Sequence, residues 1–250
     1  GGAVACAESV AALKDAGHTK TMLLGSDIGV AVGIYSTDWS RIIAASPMAR
    51  SPYASMSSLS IASGRVSYAL GMQGPCLSVE TACSASLVAT YSATGALRRS
   101  ECDDFVAIGV NLMLAPSTTL GLAVAGMTSP TGRSYTFDTR ADGFLRGEGC
   151  AAIALQPCTA RELETRMQGI AVRQDGKSAS LTAPNGPAQQ QLLRAALADG
   201  ALTSKRLRTF EAHGTGTALG DPIETGALEA VFKSGRGECG VPALCGIKGN

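Results

Sequence analysis

Between Pro75 and Leu114 the chain reads strand, helix, strand, and no other stretch narrows the choice of fold so far. Pro75–Thr81 is a short β-type run. Ser84–Leu97 is almost wholly small or apolar (Ala85, Leu87, Val88, Ala89, Ala93, Ala96, Leu97), the pattern of a helix buried nearly all round. Arg98 and Arg99 suit its C-terminal end, where cations meet the negative pole of the helix dipole. Phe105–Leu114 is a second apolar run of strand length. The alternation continues on both sides. Gly29–Tyr35 and Cys150–Leu155 read as buried strands and Leu207–Ala212 as another strand. Glu8–Ala16 (stopping at Gly17), Ser58–Leu70 (stopping at Gly71) and Gln189–Leu197 read as helices. Residues 36–58 read as a loop with one short helix, and residues 126–149 as a loop rich in Gly, Asp and Arg. Asp221-Pro-Ile-Glu224 has the residues of a helix start, with Asp221 as its cap. Buried strands alternating with helices define an α/β protein with a mainly parallel sheet.

A chain of 250 residues holds one sizeable domain or two small ones. With 45% hydrophobic and only 16% charged residues, it belongs to the heavily buried globular class, and part of the apolar excess is expected at an interface. Lys and Arg number 21 against 20 Asp and Glu, so there is no electrostatic footprint for nucleic acid. No stretch has the apolar length that spans a bilayer, and the first residues lack the charged and apolar regions of a signal peptide. They read as a chain entered partway, and the compartment expected is cytoplasmic or an organellar stroma. The eight cysteines form no CxxC, which fits reduced thiols. Zinc is not expected, because neither of the two histidines lies near a cysteine pair.

Two signatures fail on inspection. Asp175-Gly-Lys-Ser178 resembles the end of a phosphate-binding loop, but Ala171 stands where that motif needs its first glycine. His213-Gly-Thr-Gly-Thr217 has a GxG without the third glycine of a dinucleotide site. The serine-hydrolase elbow is absent. Val79-Glu-Thr-Ala-Cys83-Ser-Ala-Ser86 is different, because it sets a cysteine at a strand-to-helix junction. Unpaired N–H groups and partial positive charge gather there, which favours a thiolate and can hold an oxyanion. Taken alone, these residues also fit a buried structural cysteine. His213 follows a predicted strand, at the strand end where α/β sites assemble, and precedes a bare backbone with two hydroxyls. His18, beside the helix-ending Gly17, is given no role.

Together the Cys83 run, the Glu211-Ala-His-Gly-Thr-Gly-Thr217 run and Gly220-Asp-Pro-Ile-Glu224 resemble the β-ketoacyl synthases, and most closely the ketosynthase domains of type I modular polyketide synthases. Tyr68-Ala-Leu-Gly-Met-Gln-Gly-Pro75, Phe137-Asp-Thr-Arg-Ala-Asp-Gly-Phe-Leu-Arg-Gly-Glu-Gly149 and Leu181-Thr-Ala-Pro-Asn-Gly-Pro187 support the likeness, in the family's order.

The resemblance implies a thiolase-like, layered αβαβα fold. Residues 1–157 would form the N-terminal half with the nucleophile, and residues 158–250 a connecting segment and the start of the C-terminal half. Cys83 would take an acyl group from the phosphopantetheine arm of an acyl carrier protein. His213 would donate to the malonyl thioester carbonyl during loss of carbon dioxide, and Lys248 would support the site electrostatically. Thr215 and Thr217 would hydrogen-bond the phosphopantetheine arm. No metal or dissociable cofactor is implied, and the full-length enzyme would be a homodimer. The family's first strand would precede residue 1, and its second catalytic histidine would follow Asn250. Asp138, Asp142, Arg146 and Glu148 read as loop-fixing ion pairs, and Asp221 and Glu224 as a helix cap. Ala85, where the family often has Ser, and Ala179, in a segment usually carrying Asn, touch no catalytic group. Three other readings stand beside this one. They are a non-condensing partner-binding protein (disfavoured by Cys83), a relative acting on coenzyme A esters (disfavoured by the two threonines), and an inactive fragment.

Overall fold

A computed structural model describes residues 2–35, 38–51, 58–158, 165–180, 182–233 and 242–249. Cys239, Leu181 and Asn250, and parts of the 36–58 segment, lie outside them. In chain order the elements are α1 (Gly2–Asp15), α2 (Lys20–Leu23), β1 (Ile28–Ile34), α3 (Asp38–Ala44), α4 (Ala62–Leu70), β2 (Cys76–Val79), α5 (Ala85–Arg98), β3 (Asp104–Asn111), α6 (Pro116–Val124), β4 (Gly149–Leu155), α7 (Gly186–Asp199), β5 (Thr209–Glu211), α8 (Gly220–Phe232) and β6 (Ala243–Cys245). The chain divides into two compact units, Gly1–Thr118 with Gly147–Glu164, and Thr119–Arg146 with Thr165–Asn250. Residues 119–146 thus group with the second unit.

The first unit is built on a four-stranded sheet in the order β2-β1-β3-β4. β1 runs parallel to β2 and β3, while β4 is antiparallel to β3 at the edge. Successive side chains point to opposite faces of a strand, and the two sides of this sheet divide accordingly. Val30, Val32, Val106 and Ile108 face one side, with Leu13 of α1 and Val66 of α4. Ala31, Phe105 and Ala107 face the other, against Ala89, Ala93 and Ala96 of α5. The hydrophobic effect of burying these faces is what holds helix to sheet.

Small residues let α5 lie close. Gly33 of β1 and Gly109 of β3 are register partners. A Cβ on Gly33 would stand 2.5 Å from the Ala85 carbonyl carbon and 2.6 Å from the Ser86 nitrogen, and one on Gly109 would stand 2.7 Å from the Ser86 Cβ. The first turn of α5 rests in the gap these two glycines leave.

Two expectations need correction. α5 is not buried all round, since Leu87 (66% exposed) and Tyr91 sit on an open face. Its alanines rather than its larger side chains make the seam. β4 is likewise half open, with Ile153 exposed, as suits an edge strand. α6 went unforeseen.

The second unit packs α7 and α8 about Leu228, Val231 and Phe232, joined by Leu193, Leu197 and Phe210. Phe210 and Phe232 meet at 5.6 Å between ring centres. Asn185 caps α7 by accepting the Ala188 N–H, with Pro187 in the first turn. β5 and β6 pair in parallel. No helix among the described residues is long and apolar enough to cross a membrane.

Candidate active site

Cys83 lies in the single 3₁₀ turn Ala82–Ser84 that joins β2 to α5, as the junction motif requires. It is exposed. Ala82, just before it, has φ of 51°, a left-handed conformation that costs an alanine roughly 1 kcal/mol. Ser84 Oγ donates to the Thr81 carbonyl at 2.8 Å and closes the turn from the other side. The cysteine therefore sits on a strained, pinned corner. Elsewhere, burial pushes the Cys6, Cys102 and Cys150 thiols up in pKa.

The remaining proposed site residues lie in the second unit. His213 follows β5 by two residues. The chain beyond it turns through Gly214 (φ 48°) and Gly216 (φ 76°), which glycine adopts without steric cost. Lys248, in the short turn Ile247–Gly249 after β6, places its Nζ 2.8 Å from His213 Nδ1 and 2.6 Å from the His213 carbonyl oxygen. An ammonium can only donate, so Nδ1 accepts and the neutral ring keeps its hydrogen on Nε2. Partial withdrawal of water from the ring, and then the Lys248 charge, hold the imidazole below its ordinary pKa, against the opposing pull of Glu224 and Asp221. His213 remains exposed as a residue. Thr215 and Thr217 bring their hydroxyls within 3.5 Å of each other. Thr217 Oγ1 also accepts the Gly220 N–H at 3.1 Å.

Asp221 and Glu224 are more than a helix cap. Asp221 lies inside the first turn of α8 and Leu219 occupies the cap position. Glu224 accepts the His213 N–H on Oε1 (2.6 Å) and the Gly214 N–H on Oε2 (2.8 Å). Asp221 Oδ1 accepts the Gly216 and Thr217 N–H groups, and its Oδ2 accepts the Phe137 N–H at 2.8 Å. A loop with so many bare backbone donors needs acceptors, and two carboxylates three residues apart on one helical face supply them. That spacing, directly after a Gly-rich run, was the available signal. Glu211 was missed as well, and its Oε1 accepts the Ile247 N–H at 2.7 Å beside Lys248.

Other residues have structural duties. His18 pairs with Asp104 at 2.7 Å, tying the end of α1 to β3. In the 126–149 loop Arg140 pairs with Asp138 and holds its carboxyl well below the usual carboxylate range. Glu148 accepts the Met113 N–H, and Arg146 donates to Thr119. Asp175 accepts the Asn185 N–H beside Gly176 (φ 63°), so the P-loop look-alike is a turn bracing α7.

The candidate residues thus comprise a cysteine on a strained corner of the first unit, and, in the second, a histidine whose Nδ1 accepts from a lysine. Likeness to known proteins takes this further. The profile of the family described as "Beta-ketoacyl synthase, N-terminal domain" matches residues 3–160, and "Beta-ketoacyl synthase, C-terminal domain" matches residues 165–249. A phenolphthiocerol/phthiocerol polyketide synthase of Mycobacterium tuberculosis is 40% identical over 239 residues, which are 93% of this chain and 16% of that protein. The mycoketide-CoA synthase of the same organism is 44% identical over 245 residues, 96% of this chain and 6% of that one. Among solved structures, the ketosynthase from module 6 of the bacillaene synthase of Bacillus subtilis 168 superimposes with a TM-score of 0.88 at 33% identity, over 99% of this chain and 44% of that chain. The Streptomyces albus JA3453 oxazolomycin ketosynthase domain OzmH KS7 gives 0.89 at 31%, over 98% and 44%. The fold is thiolase-like. The chain belongs to the β-ketoacyl synthase family, among the ketosynthase domains of type I polyketide synthases. It spans less than half the length of the relatives it matches.

Proposed function

We propose that this chain carries the acylating and decarboxylating groups of a ketosynthase that condenses acyl units on an acyl carrier protein. The Cys83 thiolate attacks the acyl thioester on the carrier's phosphopantetheine arm. The carbon–sulfur bond to the carrier breaks, the carrier thiol leaves with a proton, and the acyl group stays on Cys83. A malonyl-type thioester then enters with its carbonyl oxygen facing His213 Nε2–H. Carbon dioxide departs, and the electron pair of the broken carbon–carbon bond becomes an enolate whose oxygen takes that hydrogen bond. The enolate carbon attacks the Cys83 thioester, expels the thiolate and yields the β-ketoacyl carrier. Thr215 and Thr217 hold the pantetheine arm. A homodimer is the expected assembly.

The observation that carries this reading is the Lys248–His213 contact, because it leaves Nε2 as a donor rather than a base. In the full-length protein, Cys83→Ala is expected to abolish the acyl-enzyme while leaving malonyl decarboxylation measurable. His213→Ala should form the acyl-enzyme but lose about 10²–10³-fold in decarboxylation. Intact-protein mass spectrometry reads the first and released labelled carbon dioxide the second. Equal loss of acylation in both variants would refute the division of roles.

A further inference from the structure

Thr136 stands between the two segments whose meeting makes the histidine site. Its Oγ1 donates to the Gly214 carbonyl at 2.6 Å, immediately after His213. Its γ-methyl lies 2.6 Å from where a Cβ on Gly214 would be, and equally 2.6 Å from where one on Gly246 would be. Gly249, on the other side of Lys248, would place a Cβ 3.4 Å from the Thr136 Cβ. One small side chain thus fills the space left by three glycines on two separate segments. Thr136 is itself anchored. The next residue, Phe137, gives its N–H to Asp221, and Gly143 gives its N–H to the Gly216 carbonyl.

We propose that Thr136 is a positioning residue whose methyl and hydroxyl together set the separation of the His213 loop from the Lys248 turn, and hence the Nζ–Nδ1 contact that leaves Nε2–H for the substrate. The proposal rests on the functional reading above. Hydrophobic contact with Gly246 and Gly249 holds the turn off at a fixed distance, and the hydrogen bond to Gly214 fixes the height of the loop. The charged groups facing His213 are Lys248 from its turn, and Glu224 and Asp221 from α8. When Lys248 drifts away, the two carboxylates remain and the ring binds its proton more readily.

The test uses Thr136→Ala, Thr136→Ser and Thr136→Val in the full-length protein. The pH profile of diethyl pyrocarbonate labelling at His213, read by peptide mass spectrometry against the wild-type protein, reports when the ring becomes neutral. Thr136→Ala should move the His213 profile to higher pH and slow malonyl decarboxylation about tenfold or more, as small misplacements at a site do. Acylation of Cys83 should persist. Ser keeps the hydroxyl and Val the methyl, so each should fall between alanine and wild type. If Thr136→Ala does not fold, the other two decide. His213 profiles and decarboxylation unchanged from wild type in the variants that fold would overturn the proposal. A shifted His213 profile in a protein whose wild type does not decarboxylate malonyl thioesters would support the positioning role and instead refute the functional reading.

Discussion

Lys248 does more for His213 than supply charge, because its contact with Nδ1 decides which ring nitrogen keeps the hydrogen. An ordinary histidine is half protonated at about pH 6.5. His213 is held below that, so the neutral donor form persists into more acidic solution and the acid limb of decarboxylation should lie under about pH 6.5. Lys248→Met removes one of the two influences that depress the ring and leaves Glu224 and Asp221 to raise it. The limb should move to higher pH, as followed by malonyl decarboxylation between pH 5 and 8. A limb that stayed in place or moved lower would contradict this account. Stability follows the same sign. As pH falls from about 6.5 toward the folded value, the unfolded chain takes up the proton first, so folding weakens across that window and is unaffected above it. Lys248→Met should narrow the window, a change visible in urea midpoints measured at successive pH values.

Element by element, the cysteine corner depends on how closely α5 approaches the sheet. Gly33 and Gly109 should not be equivalent there. A Cβ at Gly33 meets backbone atoms of Ala85 and Ser86, which can yield only if the helix lifts, whereas one at Gly109 meets a side chain. Gly33→Ala should therefore cost about 1–3 kcal/mol, the usual range for overpacking, and Gly109→Ala less. Urea unfolding of the two variants checks the order, and equal costs would mean that the helix does not seat as described. This close fit also explains which parts of the fold were legible in sequence. The apolar runs of β1 and β3 announce strands buried on both faces, and the alanine-rich stretch announces α5. Which side of α5 is covered could not be read, because Leu87 and Tyr91 look as burial-prone as the alanines. α6 was hidden because its first turn is held by a distant residue. Asp38 accepts the Leu114 and Ala115 N–H groups and the Thr118 hydroxyl from α3, a partnership that no local pattern records. Motifs singled out Cys83, His213, Lys248, Thr215 and Thr217 as candidates. They did not reveal the carboxylates of Asp221 and Glu224 or the wedge of Thr136, whose roles exist only once separate segments meet.

At the scale of the molecule, the chain spans 44% of the ketosynthase chains on which it superimposes. The carboxylate clamp has a further consequence, for the order of events during synthesis. Thr136 leaves the ribosome well before the His213 loop, the α8 carboxylates follow, and Lys248 emerges last. At roughly 5–20 residues per second, the interval from Thr136 to Lys248 is on the order of ten seconds. For a short part of that time, between the emergence of His213 and of Glu224, the His213 loop lacks the carboxylates that receive its N–H groups. Because Asp221 sits in the first turn of α8 and Glu224 just beyond it, winding the start of that helix and seating the loop are a single event. A nascent chain stalled before Glu224 would leave the histidine loop unset, and one stalled after it would be waiting only for the lysine.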